Sequence, residues 1–288
     1  MKPVSEAPIG GRIGSEPSLL ALLSRLDALA SEPTFRVQRE IALDRALRPY
    51  AEYSQKLGLH HLPEEMALAK LYLFADYFPE DGQLSLIEQI RDMIEAHVPE
   101  EERRWLDPLK HSFMDLLELT AIGERDSALT LRSLGDGREF RAAGGELSRE
   151  VKVGEALLTR LIVLPDRAVL PGTAILLSER NARAILAAAH QWQRELEAES
   201  GSFDLGKWSE FTKRYGYVLL WLFAQARLDA LLKAEATVNY RTPSGQPFLY
   251  AFALYEHCAR QLLVDGLSKM KEWVRIEGSR CRDRRVIS

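Results

Sequence analysis

The chain has 288 residues, of which 46% are hydrophobic and 28% are charged, and its formal net charge is −4 at pH 7. This composition is typical of a folded globular protein and excludes a largely disordered chain. The small net charge also excludes a strongly basic nucleic-acid-binding protein.

The charge is distributed unevenly along the chain. Residues 1–118 sum to −8, residues 119–200 to −1 and residues 201–288 to +5. Either the two ends steer partners electrostatically, or these charges cover solvated helix faces.

The sequence predicts a cytoplasmic protein with no membrane span. Cys258 and Cys281 are too few for a disulfide framework or a four-thiolate zinc site. Residues 1–18 lack the apolar core of a signal peptide. The longest apolar window, 217–226, is far shorter than the roughly 20 residues that span a bilayer.

Residues 15–118 follow a flexible lead-in at 1–14 and predict a helical bundle. A leucine stripe marks its first helix at the spacing of one helical face: Leu19, Leu22, Leu23, Leu26 and Leu29. Pro49 is expected to kink or divide the second helix, which covers 34–57. Ser85 and Glu88 form a capping box, and the last helix is predicted over 100–117.

Residues 119–178 predict a small β-barrel, because the hydrophobic period changes to two. Gly135-Asp136-Gly137 has the composition of a hairpin turn, and a β-rich run covers 157–164. Five or six short strands with tight turns suggest an SH3-like or OB-like barrel.

Residues 179–288 predict a second helical domain. A helix is expected at 178–199 and a long helix or helix pair at 204–233, with a kink at Gly216. A β-hairpin at 236–252, a helix at 256–275 and a basic tail follow. The predicted fold class is therefore α+β and predominantly helical.

Two weak candidate sites contain histidine. His111 and Asp115 are four residues apart, which on one helical face permits a catalytic or merely structural pair. The second candidate is a metal site in the connector before the third helix and in the first turn of that helix. The histidines there do not have the His-Glu-x-x-His spacing, and the candidate ligands are His60, His61, Glu64 and Glu65. No P-loop, nucleophile elbow or dinucleotide fingerprint occurs, so no cofactor is predicted.

Basic residues supply the candidate binding sites. In the β-module these are Arg138, Arg141 and Arg160, and in the tail they are Arg280, Arg282, Arg284 and Arg285. A basic barrel with aromatic platforms binds single strands, but this module has one aromatic, Phe140, and a net charge of zero. A docking or structural role therefore fits the barrel better than nucleic-acid binding unaided.

The stretch 151–172, VKVGEALLTRLIVLPDRAVLPG, has a Val-Gly-acid step, a strand with one arginine, a loop and Leu-Pro-Gly. It resembles the β-module of uncharacterised bacterial proteins that pair a helical N-terminal region with a SEC-C metal-binding motif. The resemblance covers less than a fifth of the chain and implies a bacterial cytoplasmic protein. The metal motif needs several cysteines and a histidine, and this tail offers only Cys281, so no zinc ligand is carried over.

No convergent set of acid, base and nucleophile is apparent in the sequence. The leading hypothesis is thus a non-enzymatic binding or adaptor protein that contacts a protein or nucleic-acid partner. The alternative is an enzyme with a polar site at the junction of the helical bundle and the β-module.

Overall fold

The computed structural model describes residues 16–57, 60–79, 84–95, 97–124, 127–145, 147–200 and 207–237, and two short strands at 273–276 and 280–283. The chain divides into two compact units, Met1–Thr237 and Val238–Ser288. In the first unit, helices pack around a small closed β-barrel, which confirms the predicted mixed fold class.

Six described helices precede the barrel: α1 (Pro17–Ala30), α2 (Arg36–Leu57), α3 (Pro63–Ala75), α4 (Leu86–Glu95), α5 (Glu100–Arg103) and α6 (Leu106–His111). The leucine stripe of α1 is buried as predicted, apart from Leu29, which is partly buried. Half of the predicted capping box of α4 forms, because the Ser85 backbone N–H donates to Glu88 Oε2 at 2.9 Å, while the Ser85 hydroxyl donates to the same oxygen at 2.6 Å. Helix α3 is buried on almost every face and forms the centre of the bundle.

Helix α2 continues through Pro49, although proline was expected to kink or divide it. Proline has no N–H, so the carbonyl of Arg45, four residues earlier, has no partner within the helix. Trp221 supplies one, because its Nε1 donates to the Arg45 carbonyl oxygen at 2.6 Å. A tertiary contact from another helix thereby satisfies the group that proline leaves unpaired.

This contact predicts a measurable coupling between positions 49 and 221. Trp221→Phe is expected to lower the free energy of unfolding by about 1–3 kcal/mol, because it leaves a carbonyl unpaired. In a Pro49→Ala background the new N–H can bond Arg45, so the same change should cost about 1 kcal/mol less. A double-mutant cycle by chemical denaturation measures the difference, and additive effects would contradict the assignment.

The barrel strands are β1 (Phe113–Ile122), β2 (Ala128–Ser133), β3 (Glu139–Ala143), β4 (Ala156–Val163), β5 (Ala168–Val169) and β6 (Ala174–Leu177). Their order is β1-β2-β3-β5-β4, and pairing of β1 with β4 closes the barrel. Strands β3 and β5 are parallel, and a short helix, α7 (Leu147–Glu150), connects β3 to β4. This order is that of an OB-fold barrel, one of the two predicted alternatives.

Strands β5 and β6 lie on the same edge of β4 and act as one interrupted strand. Ile162 pairs with Val169 and Thr159 with Ala174, so β4 advances three residues while its partner advances five. The two extra residues form an irregularity at Leu170–Thr173, between the two short strands.

Barrel residues alternate between two apolar cores. Inward side chains fill the barrel, among them Phe113, Leu117, Leu131, Leu157 and Leu161. Outward side chains join the core of the helical bundle, among them Met114, Leu116, Leu158, Ile162 and Leu177. Strand β4 is consequently buried on both faces, which explains its uninterrupted apolar sequence.

The predicted helix over 100–117 is wrong in its last part. Helix α6 ends at His111, and β1 begins at Phe113, six residues before the predicted start of the β-module at 119. Strand β1 is buried on both faces over Phe113–Leu117, so its apolar residues do not alternate with polar ones. Without that alternation, the run is compatible with either a strand or a helix.

Three helices follow the barrel in the described part of the chain: α8 (Glu179–Ser200), α9 (Trp208–Tyr215) and α10 (Tyr217–Thr237). The break between α9 and α10 falls at Gly216, where a kink was predicted. A Cβ there would lie 2.5 Å from the Thr212 carbonyl oxygen, so only glycine fits. No helix in the described part of the chain combines the length and apolar character needed to cross a membrane.

In the second unit the described strands are β7 (Trp273–Ile276) and β8 (Arg280–Asp283), which pair antiparallel. Residues 273–275 were predicted to end a helix, and this is wrong because the β-forming side chains of Trp273, Val274 and Ile276 place the segment in a strand. The predicted hairpin at 236–252 lies outside the described residues, except that 236 and 237 belong to α10.

Candidate binding site at the junction of barrel and helices

The structure does not bring His111 and Asp115 together. His111 is exposed at the end of α6, where its Nδ1 lies 2.8 Å from the Asp107 carbonyl oxygen. Asp115 is completely buried in β1, on the inward face of the barrel opposite Thr159. The predicted pair is wrong, because the helix on which it depended ends before Asp115.

Asp115 nevertheless occupies an unusual position for a carboxyl group. Its Oδ1 accepts hydrogen bonds from Trp208 Nε1 at 2.6 Å and from the backbone N of Leu116 at 2.8 Å. Its Oδ2 has no hydrogen-bond partner among the described residues. Burial raises the pKa of Asp115 to about 7, although the bond from Trp208 opposes this shift.

Trp208 lies between this carboxyl and the protein surface. The residue begins α9 and packs its indole against Gly135 in the β2–β3 turn, where a Cβ would lie 2.2 Å from the ring. The His190 ring lies against the indole as well, with 4.9 Å between ring centroids. Trp208 therefore separates the barrel interior from the solvent and holds α8, α9 and the turn together.

A cavity of about 430 Å³ opens beside Trp208, where the β2–β3 turn meets α8 and α9. We call it the junction pocket, and its lining residues are Gly135, Asp136, Arg138, His190, Gln193, Lys207, Trp208 and Ser209. Its volume lies in the range of small-molecule sites, roughly 300–1,000 Å³. Its lining combines charged and uncharged polar side chains with an aromatic wall, as binding sites for small molecules do.

Arg138 lies at the edge of this pocket, where its exposed side chain has three partners. Its guanidinium lies 5.5 Å from the ring centroids of both Phe113 and Phe140. Its Nε and Nη2 each lie 2.8 Å from Asp136 Oδ2. These contacts fix the orientation of the side chain and leave Nη1 for a further acceptor.

Lys207 and His190 add two further polar side chains to the same pocket. Lys207 is exposed immediately before α9, and it forms no ion pair within the described parts of the chain. His190 is partly buried, and its Nδ1 lies 3.3 Å from Gln193 Oε1, which leaves Nε2 unengaged by that contact. The sequence did not indicate either residue, because His190 lies in α8, Lys207 precedes α9, and neither belongs to a motif.

The prediction that Arg160 contacts a partner is wrong, because its side chain is completely buried. Its Nη1 and Nη2 donate to Asp76 Oδ2 and Oδ1 at 2.7 and 2.5 Å. Lys213 Nζ also lies 2.7 Å from Asp76 Oδ1, and burial lowers the pKa of this lysine. Ser112 accepts from Arg160 Nε at 2.6 Å, so this buried charge cluster joins α3, α9 and β4.

The other two basic candidates of the barrel lie in different surroundings. Arg138 borders the junction pocket, whereas Arg141 is exposed on the outward face of β3, opposite Thr130. On this face Arg132 lies between Glu118 on β1 and Glu139 on β3. The three predicted arginines therefore do not form one basic groove.

The candidates in the tail are described only in part. Arg280 and Arg282 belong to β8, where they pair with Ile276 and Val274 of β7. Arg284 and Arg285 lie outside the described residues.

The candidate metal residues do not form a ligand cluster. His60 and His61 are exposed, Glu64 is partly buried, and Glu65 is completely buried. The Glu65 carboxylate accepts from Tyr50 Oη and from Arg227 Nη1, the latter at 2.8 Å. Within the described residues, no group of three or more His, Cys, Asp or Glu side chains is arranged to hold a metal ion.

Comparison with known proteins found no relative of this chain. No protein-family model matches the chain, and no curated protein or solved structure matches it at a significant level.

Proposed function

We propose that the protein is a cytoplasmic binding or adaptor protein whose contact site is the junction pocket. The observation that carries the proposal is that Arg138 and Lys207, which has no ion pair within the described residues, line one cavity of about 430 Å³. The outward face of the barrel and the surrounding helices share one apolar core, which gives this pocket a fixed scaffold.

The pocket supports this proposal better than the open face of the barrel does. OB-fold barrels commonly bind oligonucleotides on the outward face of β2 and β3. Here that face carries charges of alternating sign, and the Arg132 Nη2 lies 2.5 Å from Glu118 Oε2. Phe140, the aromatic residue of β3, lies opposite the inward Leu131 and packs against the barrel core.

An enzymatic role has less support. Asp115 has a pKa near neutrality, as catalytic acids often do. Its side chain, however, is completely buried, and Trp208 lies between it and the junction pocket. A substrate in the pocket would therefore not reach the carboxyl unless Trp208 moved.

Affinity capture with the full chain tests the proposed site. Tagged wild-type protein is compared with Lys207→Glu, with and without nuclease treatment of the lysate. Lys152→Glu is the matched control, because Lys152 is exposed but does not line the pocket. We expect one specific partner to be retained by wild type and control and lost with Lys207→Glu. No specific partner, or equal retention by Lys207→Glu, would overturn the proposal.

A further inference from the structure

The junction pocket has an excess of positive charge. Arg138 and Lys207 contribute two positive charges, and Asp136 contributes one negative charge that is directed to Arg138. Among the described residues of the lining there is no other Asp, Glu, Lys or Arg, so these three side chains sum to +1. A positive sum favours an anionic ligand over a cationic one.

The donors are varied in kind and come from separate elements. Arg138 presents one edge of a planar guanidinium from the β2–β3 turn, and Lys207 presents an ammonium before α9. Ser209 adds a hydroxyl group to the same wall. These three donors exceed what the two oxygens of a carboxylate need, and they match the three peripheral oxygens of a phosphate monoester.

The dimensions of the cavity indicate more than a free anion. At about 430 Å³ it exceeds the space that one phosphate group fills, and the indole of Trp208 and the backbone at Gly135 supply less polar wall. Such a site accommodates the organic part of a small molecule together with its charged group.

We propose that the junction pocket binds a small organic phosphate, with Arg138 and Lys207 contacting the phosphate group. This inference rests on the proposed binding function and adds the chemical class of the ligand. Arg138 needs little reorganisation to bind, because Asp136 and two aromatic rings already hold it in place.

Isothermal titration of the full chain at low ionic strength tests the inference with three probes: adenosine 5′-monophosphate, inorganic phosphate and adenosine. We expect saturable binding of the first two and none of adenosine. Lys207→Glu should weaken binding of the monophosphate by about tenfold or more, because it replaces an attraction by a repulsion. Lys152→Glu should bind like wild type.

Three results would overturn the inference: no saturable binding of either phosphate compound, equal affinity in Lys207→Glu, or binding of adenosine as tight as that of the monophosphate. The capture experiment separates this failure from that of the binding function itself. A partner lost with Lys207→Glu, without phosphate binding, removes only the phosphate ligand. Absence of both a partner and phosphate binding removes both proposals.

Discussion

Asp76→Ala is expected to lower the free energy of unfolding by about 3–5 kcal/mol, the usual cost of breaking a buried ion pair. The change removes the carboxylate that Arg160 and Lys213 share, at 2.5 and 2.7 Å from its Oδ1. Arg160 would then remain completely buried, and Lys213 partly buried, with neutral acceptors such as the Ser112 carbonyl. Chemical denaturation followed by circular dichroism measures the loss.

Asp107→Ala provides the matched control. Asp107 also pairs with an arginine, with 2.7 Å between Arg91 Nη1 and its Oδ1, but both side chains are exposed. Exposed pairs contribute about 0–1 kcal/mol, so this variant should remain close to wild type. Equal losses in the two variants would contradict the assigned role of the buried charge cluster.

A second variant keeps the test informative if Asp76→Ala does not fold. The triple replacement Asp76→Leu, Arg160→Met and Lys213→Met removes all three charges together. Apolar substitution of a whole buried charge group is often neutral or stabilising. We therefore expect the triple variant to be more stable than Asp76→Ala, and the reverse order would contradict the electrostatic explanation.

The second large effect concerns Asp115 and pH. Burial raises the pKa of this carboxyl from 3.8 to about 7, so the folded protein binds its proton more tightly than the unfolded chain does. The resulting stabilisation is complete below pH 3.8 and is lost as the pH rises through about 7. At 1.36 kcal/mol per pKa unit, the loss between pH 5 and pH 8 is roughly 2–3 kcal/mol.

Asp115→Asn isolates this effect because asparagine does not titrate. The free energy of unfolding of wild type minus that of Asp115→Asn should fall by roughly 2–3 kcal/mol between pH 5 and pH 8. Taking the difference cancels the titration of groups that both proteins share. Thr159→Val is the control, because Thr159 lies opposite Asp115 and is also buried. The change in the free energy of unfolding caused by Thr159→Val should be the same at pH 5 and pH 8. If the change caused by Asp115→Asn is also the same at both pH values, the raised pKa of Asp115 is refuted.

Local sequence signals predicted the parts of the fold whose periodicity is undisturbed. The leucines of α1, the Ser85–Glu88 cap and the turn at 135–137 all appear where they were expected, because each depends on neighbours within a few residues. The start of β1 was missed because that strand is buried on both faces. Arg160 was misplaced for a related reason: its partner, Asp76, is 84 residues away, and no local pattern reports such a pairing.

The residues of the candidate site could not be predicted from the sequence. The alternative hypothesis expected a polar site between the β-module and the helical bundle of residues 15–118, whereas the junction pocket lies where the barrel turn meets the later helices α8 and α9. Its residues could not be selected, because Arg138, His190 and Lys207 converge only through the packing of Trp208 on Gly135. A tryptophan that follows a lysine has no distinguishing sequence signature.

The shared core has a consequence for how the protein can be dissected. The outward residues of β1 and β4, such as Met114 and Leu158, pack into the helical bundle, and Arg160 has its counter-charge there. A fragment limited to the barrel would expose these apolar side chains to solvent. It would also lack Asp76, the counter-charge of Arg160. Lys213 lies 137 residues from Asp76, so cleavage before α9 would likewise separate partners. The first unit is therefore expected to become stable only when segments far apart in the sequence pack together. Because such contacts have a high contact order, we expect this unit to fold slowly.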